Sequence, residues 1–158
     1  MFVDTNILVA ARFVTAPAHV AACRCLDRIG NSGEALHISR QIVREYLVAV
    51  TRPQSWSAAL AIGDALEDAA RLVSSFNVLE DGPNVMAALV ALCREVPVAG
   101  KQIHDANIAA TMLAHGERRL LTLNVKDFRR YGERIELVDM EEARRLAAGG
   151  TSCMPRGP

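Results

Sequence analysis

Aromatic residues are scarce in this chain of 158 residues, where phenylalanine, tryptophan and tyrosine together make up 4% of the sequence. Single-strand-binding platforms and RNA-recognition sheets stack bases on rows of aromatic side chains, so both classes are excluded. Net charge is lacking as well, because 18 basic and 18 acidic residues cancel. No overall field therefore draws the protein to nucleic acid or membrane, and any surface that binds polyanions has to be local.

Long apolar runs and a cysteine framework are also missing. Asp4 and Asn6 interrupt the first apolar stretch, and no later stretch approaches the roughly 18 uncharged apolar residues of a membrane span. We therefore expect neither a signal peptide nor a membrane segment, and a cytoplasmic location. Cys23 and Cys25 lie two positions apart on a predicted helix and point to different sides, so the cysteines are expected to be free thiols in a reducing compartment.

Apolar residues recur along the chain in a regular order. Residues of the AVILMFWYC set make up 51% of it, and short apolar runs alternate with amphipathic helices. Strands are predicted at 1–3, 35–39, 76–79, 120–123 and 135–138. This alternation is typical of an α/β protein, a three-layer α/β/α sandwich with a five-stranded parallel sheet. We expect one domain over residues 1–148 and a disordered tail over 149–158.

One predicted helix, over residues 57–74, has an especially clear amphipathic pattern. Ile62, Leu66, Ala69 and Val73 recur at helical spacing and are predicted to face the core. The other face carries charged residues, among them Asp68, and is predicted to be solvated.

Three acidic residues are predicted near the carboxyl edge of the sheet, where ligands bind in folds of this class. Asp4 ends the first strand. Asp105 lies in the first turn of a helix, in register with the apolar residues Ile108, Ala109 and Met112, and Glu45 lies at the margin of an apolar helix stripe. Each also has an ordinary structural explanation. Asp4 suits a helix N-cap, Asp105 suits a helix dipole, and Glu45 suits a solvated surface.

A fourth group of polar residues follows the fourth strand in the segment TLNVKDF, which contains Thr122, Asn124 and Asp127. Asn and Asp are ordinary turn residues at such a position. Taken together with the three acids, however, they bring several oxygen ligands to one sheet edge. Clustered carboxylates repel each other, and a hard divalent cation such as Mg²⁺ or Mn²⁺ relieves that repulsion. Such an ion suits phosphodiester hydrolysis.

Local basic groups lie near these acids in the sequence. Six basic and two acidic residues fall between positions 118 and 134. Local positive charge of this kind positions phosphates, although each residue alone could be a solvated surface cation. The predicted RNA-binding residues are Arg40, Arg44, Lys101, Lys126, Arg129 and Arg130.

Four segments resemble a known family when they are read in order: MFVDTNILVAARF, SRQIVREYLVAVTRP, GKQIHDANIAATMLAHG and LLTLNVKDFRRYG. They are similar to the four acidic motifs of PIN-domain ribonucleases, in particular the VapC-like toxins of bacterial toxin–antitoxin systems. The resemblance implies a five-stranded parallel sheet, an endoribonuclease activity that depends on Mg²⁺ or Mn²⁺, a homodimer, and inhibition by a cognate antitoxin protein. By motif, Asp4, Glu45 and Asp105 are the catalytic metal ligands, and Thr5 and Asn6 fix the geometry of the first strand end.

The fourth motif departs from the usual pattern, because Asn124 stands where many members have Asp. Asn124 and Asp127 are both candidates for the fourth metal position, with Thr122 in support: either Asp127, three residues on, compensates for the missing acid, or a second metal is held weakly. The departure leaves open a second hypothesis, a PIN-like module that binds RNA or protein and cleaves weakly. A third hypothesis makes Asp4 a phosphoacceptor, but Val3 and Asn6 stand where such domains carry a second acid.

Overall fold

Five short parallel strands form the centre of the fold. The computed structural model describes residues 1–138 and 140, and there the strands lie in the order β3-β2-β1-β4-β5. Their bounds are β1 Phe2–Val3, β2 His37–Ser39, β3 Asn77–Leu79, β4 Arg119–Leu121 and β5 Glu136–Val138. All four neighbouring pairs are parallel. The predicted five-stranded parallel sheet is therefore confirmed, with β1 at its centre.

The two strands that matter most for the site are fully buried. Phe2 and Val3 in β1 and Leu120 and Leu121 in β4 have no solvent exposure. Strands covered on both faces read as continuous apolar runs, and these two stop where the next residue is polar. Asp4 follows β1, and Thr122 follows β4, so two polar side chains begin at adjacent strand ends.

Helices connect the strands and cover the sheet, as an α/β/α sandwich requires. Helix α1 packs against α2 and α3, α3 packs against α4, and α5 packs against α6. The bounds are α1 Thr5–Arg12, α2 His19–Asn31, α3 Arg40–Val50, α4 Ile62–Ser75, α5 Pro83–Glu95, α6 Gln102–Ala114 and α7 Val125–Phe128, followed by a 3₁₀ helix over Arg129–Arg134. The predicted domain end at 148 and the predicted tail at 149–158 lie outside the described residues.

The prediction for α4 is wrong in its start and in its orientation. The helix begins at Ile62, and Ser57, its predicted first residue, instead pairs with Gln54 in an isolated bridge. Ile62 and Leu66, predicted to face the core, are 63% and 54% exposed, whereas Asp68 is buried. Of the predicted apolar face, Ala69 is buried as expected, and Ala65 and Asp68 complete the buried face.

Three hydrogen-bond donors explain why the charged side chain of Asp68 can be buried. Its carboxylate accepts hydrogen bonds from the guanidinium groups of Arg12 and Arg71 and from the hydroxyl of Tyr46. Burial by itself raises the pKa of Asp68, but these three donors reverse the effect and hold it below its ordinary value. The cluster joins α1, α3 and α4, so a residue predicted to be solvated is a link between three helices.

Three of the four cysteines lie among the described residues. Cys23, Cys25 and Cys93 are free thiols, in agreement with the sequence, while Cys153 lies beyond the described part. Among the helices that are described, none is long and apolar enough to cross a membrane.

Candidate active site

Asp4 lies at the centre of the site, directly after the central strand. Its backbone N–H donates to the carbonyl of Leu121 at 3.0 Å, which continues the pairing of β1 with β4 by one residue. The side chain is only 6% exposed. Although Asp4 occupies the N-cap position of α1, its carboxylate makes no capping hydrogen bond. The simple capping explanation therefore does not describe what this side chain does.

Two polar neighbours orient the Asp4 carboxylate. Its Oδ2 atom accepts a hydrogen bond from Oγ1 of Thr122 at 2.6 Å and another from Nδ2 of Asn6 at 2.7 Å. Asn6 is itself fixed, because its Oδ1 accepts from the backbone N–H of Leu123 at 3.0 Å. Thr122 and Asn6 thus join the ends of β1 and β4 around one carboxylate.

Glu45 lies in the middle of α3 and is also held at both oxygens. Oγ1 of Thr5 donates to Oε2 at 3.1 Å, and Nε2 of Gln41 donates to Oε1 at 2.6 Å. Thr5 comes from the first turn of α1, next to Asp4. The side chain of Glu45 is therefore directed toward the strand end rather than free in solvent.

Gln41 is a buried residue that the sequence analysis did not identify. Its Nε2 atom also donates to the carbonyl of His104 at 2.9 Å, and its Oε1 accepts from Nδ2 of Asn107 at 2.7 Å. The amide cannot be reversed, because its NH₂ faces two acceptors and its oxygen faces a donor. Gln41 therefore joins α3 to α6 and sets the position of Glu45. The spacing of four residues between Gln41 and Glu45 on one helix was the available signal.

Electrostatics show that the acidic residues share one environment. Burial raises the pKa of Asp4 to about 6, and the negative charges of Glu45 and Asp105 contribute to the rise. Burial likewise raises the pKa of Asp105, which is raised further by the charges of Asp127 and Glu45. Four carboxylates from distant parts of the sequence therefore act on one another at one sheet edge.

Two polar residues, Asn124 and Asp127, lie in the fourth motif, after β4. Asn124 uses its Nδ2 to donate to Oδ2 of Asp127 at 2.6 Å, and its backbone N–H donates to Oγ1 of Thr122 at 2.9 Å. The amide thus supports a carboxylate, and that carboxylate is the group whose charge reaches Asp105. In this arrangement Asp127 supplies the negative charge and Asn124 orients it.

The donor set fits a hard divalent cation in its chemistry. It consists of carboxylate oxygens, and the pKa values of Asp4 and Asp105 are raised. Among the described residues, neither of these two carboxylates forms an ion pair. Within the same residues, no three His, Cys, Asp or Glu side chains are already arranged to hold an ion. The carboxylates of Asp4, Glu45 and Asp127 accept hydrogen bonds from their neighbours, which is the usual state of carboxylates that hold metal ions.

The predicted basic residues separate into different places. Arg130 lies at the site, where its Nε donates to the carbonyl of Asp127 at 2.9 Å and its charge lowers the pKa of Asp105. Lys126 and Arg129 are exposed in the same segment after β4. Arg40 is engaged by Glu80 through two nitrogens.

Arg44 and Lys101 line a groove that also includes Glu45. By contrast, three other basic residues of the 118–134 block lie at the opposite edge, just before or at the start of β4 and just before β5. They are Arg118, Arg119 and Arg134. Sequence proximity alone could not make this distinction.

A family profile for the PIN domain matches residues 1–134. The chain belongs to the PIN-domain family. The match spans all four segments that carry the predicted resemblance, so that resemblance is confirmed. A comparison with curated proteins found no significant match.

Solved structures with the same fold include toxin–antitoxin proteins. A chain of VapBC2 from Rickettsia felis, bound to a DNA fragment from its promoter, has a TM-score of 0.65 and 18% identity to this PIN domain, covering 87% of it and 96% of that chain. VapC20 from Mycobacterium tuberculosis, a toxin that cleaves the sarcin–ricin loop, has a TM-score of 0.60 and 19% identity, with coverages of 80% and 91%. VapBC-1 from nontypeable Haemophilus influenzae has a TM-score of 0.62 and 18% identity, with coverages of 89% and 97%. These likenesses concern the fold.

Proposed function

We propose that this PIN domain is an endoribonuclease that depends on Mg²⁺ or Mn²⁺ and hydrolyses RNA phosphodiester bonds. The observation that carries the proposal is the gathering of Asp4, Glu45, Asp105 and Asp127 at one sheet edge, with raised pKa values at two of them. Buried and half-buried carboxylates that repel each other are costly to a fold, so their presence is explained best by a function that uses them.

Each residue of the site has a role that follows from its contacts. Asp4, Glu45 and Asp105 would hold the ion, with Asp127 as the fourth ligand. When bound, a divalent ion lowers the pKa of a bound water and stabilises negative charge on the phosphate. Around this centre, Thr122 and Asn6 orient Asp4, and Asn124 orients Asp127.

The RNA phosphates are expected to lie along the cations on this edge of the sheet. Arg44, Lys101, Lys126 and Arg129 are exposed, and Arg130 lies beside Asp127. Such residues position the backbone of a nucleic acid without reading its sequence. Arg40 joins them only when its pair with Glu80 opens.

The proposed biological role is that of a toxin, paired with a cognate antitoxin protein and assembled as a homodimer. Support comes from similarity to chains of toxin–antitoxin complexes, including one from Klebsiella pneumoniae with a TM-score of 0.58 and 23% identity. Expression alone should arrest growth, and co-expression with a protein from a neighbouring small open reading frame should relieve the arrest. Growth that continues while the protein accumulates would contradict the toxin role.

The enzymatic proposal is tested by cleavage of RNA with controlled metal. The purified protein should cut RNA with Mg²⁺ or Mn²⁺ and stop in EDTA, because the bound ion would activate the attacking water and stabilise the negative charge on the phosphate. Asp4→Asn and Asp105→Asn, purified in parallel, serve as controls for contaminating nuclease. Cleavage by these variants, or cleavage in EDTA, would refute the metal mechanism.

A second candidate function, a PIN-like module that binds RNA or protein without efficient cleavage, is favoured by one observation. Asn124 occupies the fourth motif, where its amide adds no negative charge. RNA that binds tightly and stays intact with saturating Mn²⁺ would support this candidate. Asn124→Asp should then restore cleavage, since it adds the missing charge.

A further inference from the structure

One of the four carboxylates at the proposed active site differs from the others in its hydrogen bonds. Asp4, Glu45 and Asp127 each accept at least one hydrogen bond from a neighbouring side chain. Asp105, in the first turn of α6, accepts none from any described residue. Carboxylates that hold metal ions are usually hydrogen-bonded in their turn, and the bond fixes the orientation of the ligand. The site therefore lacks a donor for one of its proposed ligands.

Tyr131 has the complementary feature, a donor without an acceptor. Its side chain has no solvent exposure, and its hydroxyl has no hydrogen-bond partner among the described residues. A phenylalanine would fill the same space without burying a polar group, so packing does not explain the hydroxyl. Tyr46, the other tyrosine of the chain, shows the ordinary arrangement, because its buried hydroxyl donates to Asp68 at 2.9 Å.

The fold brings Tyr131 to the side of the site where Asp105 lies. Tyr131 belongs to the 3₁₀ helix directly after α7, and its ring packs against that of Phe128 with 6.0 Å between the ring centroids. Helix α7 packs against α6, which carries Asp105. Burial raises the pKa of the Tyr131 hydroxyl to about 12, and the negative charge of Asp105 is the next cause of the rise. The two side chains therefore act on each other where α6 meets α7.

We propose that Tyr131 is a positioning residue for Asp105, and that its hydroxyl donates a hydrogen bond to the Asp105 carboxylate when that carboxylate holds the divalent ion. The inference rests on the proposed function and adds a residue to its metal site. When one carboxylate oxygen binds an ion, the other still accepts a hydrogen bond, which fixes the rotation of the carboxylate. Because the hydroxyl is fully buried, it acts on the substrate only through Asp105.

The test is Mn²⁺ binding by Tyr131→Phe, which removes the hydroxyl and keeps the ring. Electron paramagnetic resonance measures free Mn²⁺ without RNA, so the readout does not depend on cleavage. The dissociation constant should rise about tenfold, the lower end of the range for residues that orient metal ligands. Tyr46→Phe is the matched control and should bind Mn²⁺ as the wild-type protein does, because its hydroxyl serves Asp68. Equal dissociation constants for the wild-type protein and Tyr131→Phe would overturn the inference.

Thermal unfolding in EDTA distinguishes this role from a structural one. Tyr131→Phe should melt at the wild-type temperature or above it, because no described residue accepts from the hydroxyl. Tyr46→Phe should melt lower, because it removes one of the donors to buried Asp68. If Tyr131→Phe melts as low as Tyr46→Phe, the hydroxyl serves the metal-free fold and the inference is wrong.

Asp127 is the other acidic residue of the site whose charge acts on Tyr131, so the acceptor has to be assigned. In a protein that already carries Asp127→Ala, adding Tyr131→Phe should still weaken Mn²⁺ binding about tenfold, because Asp105 is unchanged. If the effect disappears in that protein, the hydroxyl acts through Asp127, and the assignment to Asp105 is refuted.

These measurements separate the role of Tyr131 from the nuclease proposal. If the wild-type protein cleaves RNA with Mn²⁺ but binds the ion no more tightly than Tyr131→Phe does, the role of Tyr131 is refuted and the nuclease stands. If the tenfold difference in Mn²⁺ binding is present but RNA stays intact, the role of Tyr131 stands and the nuclease fails. A wild-type protein that binds no Mn²⁺ refutes both.

Discussion

At the scale of single residues, Asp4 is a buried carboxyl group that, within the described residues, has hydrogen-bond donors but no cation. Its pKa of about 6 in the folded protein exceeds the ordinary value of 3.8. Above pH 6 it is ionised in both states, and the folded state bears the cost of the buried charge. As pH falls from about 6 to about 4, the folded protein takes up a proton before the unfolded chain does, so this group stabilises the fold progressively.

Asp4→Asn should therefore stabilise the metal-free protein at pH 7 by about 3 kcal/mol, an amount that follows from the size of the pKa rise. The gain should shrink below pH 6 and disappear near pH 4, since the wild-type carboxyl is then neutral too. Urea unfolding in EDTA across this range measures it. Asp64→Asn, which removes an exposed carboxylate on α4, is the control for the loss of one negative charge. A stability difference that does not change with pH would mean that burial does not perturb Asp4.

A second prediction at the residue scale concerns Gln41, whose amide holds the Glu45 carboxylate by a hydrogen bond. Gln41→Met keeps the shape of the side chain but removes both donors and the acceptor. Residues that orient metal ligands typically cost about 10–100-fold in metal affinity or activity when they are changed. The Mn²⁺ concentration at half-maximal cleavage should rise by about tenfold, and excess Mn²⁺ should restore most of the rate.

The matched control for Gln41 is Gln54→Met, because the Gln54 amide donates to the carbonyl of Ala49. Its Mn²⁺ midpoint should equal that of the wild-type protein. A Gln41→Met protein with a normal midpoint and a lowered melting temperature would show that Gln41 is only a link between α3 and α6.

At the scale of elements, α4 shows how a helix can turn its larger apolar residues outward. The Asp68 carboxylate accepts from two arginines and from Tyr46, so removing it leaves a buried hydroxyl without its acceptor and two guanidinium groups without this carboxylate. Asp68→Ala should destabilise the protein by about 2 kcal/mol, the cost of unsatisfied polar groups after allowance for the exposure of Arg12 and Arg71. Leu66→Ala on the exposed face should change stability by less than about 0.5 kcal/mol. The reverse order in thermal unfolding would restore the orientation predicted from the apolar pattern.

At the scale of the whole molecule, the net charge is zero, but the basic residues are distributed between the two edges of the sheet. Lys126 and Arg129 lie at the edge with the acidic site, whereas Arg118 precedes β4 at the other edge. Lys126→Ala/Arg129→Ala should reduce the slope of log affinity for single-stranded RNA against log salt by about 1.4, because each phosphate contact contributes about 0.7. Arg94→Ala/Arg118→Ala removes the same charge elsewhere and should leave the slope unchanged. Equal slopes for both pairs would place the RNA path away from α7.

The sequence predicted the sheet because its strands are buried on both faces and thus appear as apolar runs that end at Asp4 and Thr122. It predicted the acidic residues as a group, because oxygen ligands from distant parts of the chain fall at the carboxyl edge of one sheet, where ligands bind. The family resemblance added the supporting roles of Thr5 and Asn6, whose contacts with Glu45 and Asp4 are present in the structure. Their role in metal binding remains a prediction.

Periodicity and spacing by themselves determined the class of fold, the order of its elements and the candidate acids, because these depend on local patterns along the chain. Only the tertiary structure decided that Asp68 is buried, that Gln41 holds Glu45, and that Arg118 lies at the edge away from Asp4. Each of these facts depends on which distant side chain supplies a partner. An Asp can be buried when two arginines reach it, and no pattern within α4 records the presence of Arg12, 56 residues away.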